Sequence, residues 1–99
     1  MPTVQQVILN LISGIDDPVI RVEVSKTLMF LYNVYASGKV SESEVKKSVE
    51  EVVRKVLKAK HPELEPEQLK MLVKQTTEEI MEAFSLQSIF RRTAVKAGF

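Results

Sequence analysis

Apolar residues recur at intervals of three and four positions along most of the chain, which is the spacing that places them on one face of an α-helix. All three glycines and all four prolines fall at the ends of these periodic stretches. The pattern predicts an all-α, compact bundle of four to five helices that forms a single helical domain over residues 1–99. The predicted helices span approximately residues 3–13, 18–37, 42–60, 66–84 and 86–97.

Three of these helices begin with a capping sequence. Thr3 stands three positions before Gln6, and Ser41 stands three positions before Glu44. Both pairs have the form of a capping box, in which the side chain of each residue accepts a hydrogen bond from the backbone N–H of the other. Asp17 stands before a proline, a combination that favours the start of a helix. These signals fix the predicted starts of the first three helices.

The opening of the second helix permits two interpretations. Ile20, Val22 and Val24 alternate with polar residues, and a period of two in β-branched residues is typical of a strand. A helix is favoured because Asp17 begins it and no glycine or proline interrupts it before Gly38. Whether residues 19–25 are helix or strand stays open at this point.

The predicted break near Ser85 rests on a change of face. Leu86, Ile89 and Phe90 lie on a stripe that is rotated from the apolar stripe of residues 69–84. The sequence therefore predicts a separate short helix over residues 86–97.

Composition narrows the class of protein. The chain is 44% hydrophobic and 27% charged, so it is apolar enough to fold, and its formal net charge of +1 gives no overall attraction to nucleic acid or membrane. It contains no cysteine, which excludes disulfides and thiolate ligands and favours a cytoplasmic location. No apolar run reaches the roughly 18 residues of a membrane span. The first residues also lack the basic start and cleavage site of a signal peptide.

The residues that could perform chemistry are few. His61 is the only histidine, and Glu63, Glu65 and Glu67 follow it at alternate positions in a proline-containing loop. This spacing does not place the four groups on one side of a helix, so we expect no metal site and no cofactor. Asp16 and its neighbour are explained as caps, and no serine or threonine has a base beside it. The sequence therefore predicts a protein that is not an enzyme.

The second helix is apolar around nearly its whole circumference, and such a helix must be buried on all sides. Either it lies at the centre of the bundle, or a second chain covers one of its faces. The second interpretation predicts a homodimer, the commonest closed assembly, or an unknown protein partner. The predicted interface residues come from this helix and the C-terminal segment: Met29, Phe30, Tyr32, Ile89, Phe90 and Phe99.

An alternative function is a small nucleic-acid-binding regulator. Basic residues collect toward the end of the third helix and in the C-terminal tail, and together they would neutralise phosphates if the two regions lay side by side. The residues predicted for this role are Lys55, Lys58, Arg91, Arg92 and Lys96.

Overall fold

The structure, a computed structural model, describes residues 3–96, with side chains for residues 3–91. Within this part of the chain there are four α-helices and no strand, which confirms the predicted all-α bundle. Residues 19–25 are helical, so the open alternative is resolved in favour of helix. The elements are α1 (Val4–Ile12), α2 (Pro18–Ser37), α3 (Glu42–Lys60) and α4 (Pro66–Lys96).

The predicted caps begin three of the helices. The Thr3 hydroxyl accepts a bond from the Gln6 N–H at 3.1 Å, and the Gln6 side chain accepts one from the Thr3 N–H at 2.9 Å. The Ser41 hydroxyl accepts a hydrogen bond from the Glu44 N–H at 3.3 Å. The reciprocal bond, from the Ser41 N–H to the Glu44 side chain, is not formed in this described part of the chain. Asp17 accepts the N–H two residues further on at 2.9 Å.

α2 is a helix because both of its ends are fixed locally. Asp17 caps its start, and Gly38 ends it in the left-handed conformation with φ 71°. The Gly38 N–H donates to the Tyr35 carbonyl at 3.2 Å. A β-branched residue costs a helix only about 0.5 kcal/mol, so those among residues 19–25 do not outweigh these caps and the packing of the helix.

α4 is one continuous helix, and the predicted break with a separate helix over 86–97 is wrong. The buried face of α4 continues past Phe84 to Ser88, whose hydroxyl donates to the Ser85 carbonyl at 2.9 Å. A polar residue therefore occupies the inner face at this point, while Ile89 and Phe90 are exposed. The change of face that suggested a break is a change from core residues to surface residues on the same helix.

All four helices contribute to one hydrophobic core. Phe84 is fully buried, and the Tyr32 ring meets it edge-on with 5.4 Å between ring centroids. Tyr35 approaches the same ring at 5.9 Å. These aromatic contacts join the second half of α2 to α4.

α1 is attached to the rest of the bundle at both ends. At its start, the Val4 N–H donates to the Gln87 side chain of α4 at 3.1 Å. At its end, the Lys60 ammonium of α3 donates to the Leu11 carbonyl at 2.9 Å. The N–H groups at the start of a helix and the C=O groups at its end have no partner within that helix. In α1, one such group at each end is bonded by a side chain that is distant in sequence.

Candidate interaction surface

The main candidate surface is the exposed apolar part of α2. Of its twenty residues only Leu28 and Tyr32 are buried. Phe30 is 64% exposed, and Val19, Ile20 and Val22 are between 46% and 62% exposed. α2 therefore lies at the edge of the bundle and not at its centre, and the apolar residues that predicted burial on all sides are in part open to solvent.

The position of α2 follows from how its apolar residues are distributed. One side of the helix packs against the other three helices, and this side uses Leu28 and Tyr32. Val19 and Phe30 are eleven residues apart, which is close to three full turns at about 100° per residue, so they share one side of the helix. That side is opposite the one that carries the two buried residues. None of the other helices in the described part of the chain covers that side.

A shallow groove lies beside this surface, where the end of α1 meets the start of α2. Its volume is about 390 Å³, and Ile12 and Val22 contribute apolar side chains to it. Arg21 and Lys26 are cations on its border. The groove joins the exposed part of α2 to the surface near the first loop.

The six predicted interface residues have different positions in the structure. Phe30 and Phe90 are 64% and 68% exposed, Ile89 is also exposed, and Met29 is half-buried. Tyr32 is only 4% exposed and packs against Phe84, so it belongs to the core and is not available at the surface. Phe99 lies outside the described residues.

Sequence reasoning did not select the first turns of α2 as surface residues. Val19, Ile20 and Val22 are among the most exposed aliphatic residues described, yet only Met29, Phe30 and a buried tyrosine were predicted from this helix. The helical period alone places Val19 on the same face as Phe30, and this shared face was a signal that could have added Val19 to the predicted surface.

The basic residues do not form one surface. Lys58 lines a groove of about 470 Å³ together with Arg54 and Lys70, between the end of α3 and the start of α4. Arg91 is 21 residues beyond Lys70 on the continuous helix α4, which corresponds to about 30 Å at the helical rise. The side-by-side arrangement that nucleic-acid binding required is therefore absent for the basic side chains that are described.

The remaining predicted nucleic-acid residues add little to either cluster. Lys55 is exposed on α3 but does not line the groove. Arg54 is already paired with Glu50 at 3.1 Å, as the spacing of four residues on a helix favours. The side chains of Arg92 and Lys96 lie outside those described.

His61 follows α3 and lies next to Glu63. Its Nδ1 lies 3.5 Å from a carboxylate oxygen of Glu63, and both side chains are substantially exposed. No cluster of three or more metal-binding side chains occurs among the described residues.

No helix within the described part of the chain has the length and apolar character needed to cross a membrane. Comparisons of the chain with protein-family models, with curated proteins and with solved structures gave no significant match.

Proposed function

We propose that this protein is a non-catalytic protein–protein interaction module that forms a homodimer and holds a partner protein. Its contact elements are the exposed side of α2 and the C-terminal part of α4. The observation that carries the proposal is the exposure of Phe30 together with Val19, Ile20 and Val22 on one helix. Single exposed apolar residues are common, but several on one element are typical of an interface.

The residue types also support binding. Interface cores are enriched in aromatic residues, methionine and arginine, and Phe30 and Phe90 are the two most exposed aromatic rings described. Met29 is half-buried next to Phe30, so its flexible thioether can adapt to a partner surface. We place the protein in a cytoplasm because its 99 residues contain no cysteine.

Nucleic-acid binding has weaker support. It would use Arg54, Lys58 and Lys70, which line one groove, but Glu50 already pairs with the first of these. The loop beside the groove carries Glu63, which repels phosphate. We therefore favour the protein–protein function.

Sedimentation equilibrium over a wide range of protein concentrations tests the proposal. We expect an assembly of twice the 11.2 kDa chain mass, in equilibrium with the monomer. Phe30→Ser should shift this equilibrium toward the monomer because it removes the largest exposed apolar group of α2. Met71→Ser is the matched control, since Met71 is equally exposed at 64% but lies on α4.

Two results would contradict the proposal. One is a chain that stays monomeric up to the highest attainable concentration. The other is an assembly that Phe30→Ser and Met71→Ser weaken to the same degree.

A further inference from the structure

The outer face of α2 carries an ordered set of charged and apolar side chains. We define this face by Val19, Glu23, Lys26 and Phe30, which are all exposed. At about 100° per residue they lie within a sector of about 60°, so they form one stripe along the helix. The two apolar residues stand at the ends of the stripe, and the two charged residues stand between them.

The charged residues of this stripe have no ion-pair partner among the described side chains. The ion pairs within that part of the chain are Glu50 with Arg54 and His61 with Glu63. Glu23 and Lys26 therefore remain available to a group on another molecule.

The stripe is complementary to itself. When two copies of α2 pack antiparallel about a two-fold axis that passes between Val24 and Ser25, Val19 of each copy lies opposite Phe30 of the other. In the same arrangement Glu23 of each copy lies opposite Lys26 of the other. A two-fold axis generates every contact twice, so this packing contains two apolar contacts and two ion pairs.

The charges disfavour the other simple arrangements. A parallel pair of α2 helices would place Glu23 opposite Glu23 and Lys26 opposite Lys26. An antiparallel register that brings Phe30 against Val22 would also place the two copies of Lys26 opposite each other. Like charges in direct opposition across an interface are strongly unfavourable, so the charge order favours the register with Glu23 opposite Lys26 over both of these arrangements.

We infer that the partner of the outer face of α2 is a second copy of this chain, packed antiparallel with Glu23 opposite Lys26. This inference rests on the proposed homodimer and specifies its geometry. The stripe from Val19 to Phe30 is about 16 Å long, and this contact alone covers less than the roughly 800 Å² per partner of a standard interface. The dimer therefore dissociates readily on dilution.

The experiment reverses the two charges separately in the full chain. Glu23→Lys and Lys26→Glu each place like charges in opposition across both halves of the dimer. Sedimentation equilibrium at low ionic strength should show that each variant alone dimerises at least about tenfold more weakly than the wild type. An equimolar mixture of the two variants should dimerise again, because every cation of one chain then faces an anion of the other.

A matched pair of charge reversals controls for general effects. Lys74→Glu and Glu78→Lys alter exposed residues of α4 and should leave dimerisation unchanged, alone or mixed. Thermal unfolding verifies that all four variants fold. Restored association in the mixture is a result that misfolding cannot produce.

The outcomes separate this inference from the function on which it rests. A wild-type dimer that is insensitive to Glu23→Lys and Lys26→Glu, or a mixture that fails to recover, overturns the antiparallel register and leaves the homodimer standing. A wild-type chain that is monomeric at all concentrations overturns the homodimer together with this inference.

Discussion

α1 and α2 are both rich in aliphatic residues, but α1 buries five of its nine residues while α2 buries two of its twenty. The apolar residues of α1 lie on one stripe that faces the core, from Val4 to Ile12. Those of α2 are spread around the helix, so the side that faces the core accounts for only part of them. The distribution of apolar residues around a helix therefore indicates its burial better than their number does.

The two helices also differ in how their ends are held. Gln87 and Lys60 bond the ends of α1 from other helices, whereas the ends of α2 rely on the adjacent residues Asp17 and Gly38. α1 is thus part of the stable framework of the bundle. α2 leaves a side open for contact with another molecule.

The largest expected effect comes from shortening a core residue of α1. Leu11 is 3% exposed, so Leu11→Ala should lower the free energy of unfolding by about 2–5 kcal/mol, since it removes buried methyl groups and leaves a cavity. Urea denaturation followed by circular dichroism measures this loss. Leu9→Ala in the same helix is the control, because Leu9 is 57% exposed and its loss should stay within about 0.5 kcal/mol. Equal losses would show that the burial pattern of α1 is incorrect.

An intermediate effect is expected at the end of α1. Lys60→Met keeps the aliphatic chain but removes the donor to the Leu11 carbonyl, which should cost about 1–2 kcal/mol. Hydrogen exchange should also become faster in the last turn of α1. Lys55→Met is the control, since Lys55 is exposed on the same helix. If both variants unfold alike, the bond from Lys60 does not hold α1.

The smallest effect on folding is expected in α2. Val22→Ala should change the free energy of unfolding of the monomer by no more than about 0.5 kcal/mol, because Val22 is 51% exposed. The same substitution in α1, Val7→Ala, should cost about 1–3 kcal/mol, because Val7 is 6% exposed. Urea denaturation at a protein concentration too low for dimerisation measures the free energy of unfolding of both variants. A loss at Val22 as large as that at Val7 would mean that α2 is covered within the single chain.

The helix starts were predictable because their signals are local. Thr3, Asp17 and Ser41 each cap a helix through a neighbour two or three residues away, so the sequence contains all the participants. The continuity of α4 was not predictable from apolar periodicity. Its inner face continues with the polar residue Ser88, which satisfies its own hydroxyl within the helix.

The candidate surface was predictable only in part. Phe30 and Phe90 are exposed, as an interface role requires, and that role stays a prediction. Tyr32 could not be separated from them because its burial depends on contact with Phe84. Lys58 and Lys70 line the same groove, and this likewise depends on how α3 and α4 pack against each other. Contacts between distant segments decide these positions, and a single sequence contains no direct record of such contacts.

The bond between the Val4 N–H and the Gln87 side chain joins residues 83 positions apart. During synthesis on a ribosome, α1 emerges long before Gln87, whose side chain bonds the N–H group at the start of α1. Contacts of such wide separation close late, because the intervening chain must be ordered first. A nascent chain that stops short of Gln87 should therefore leave α1 loosely attached, and protease resistance near Val4 should arise only after Gln87 has been added.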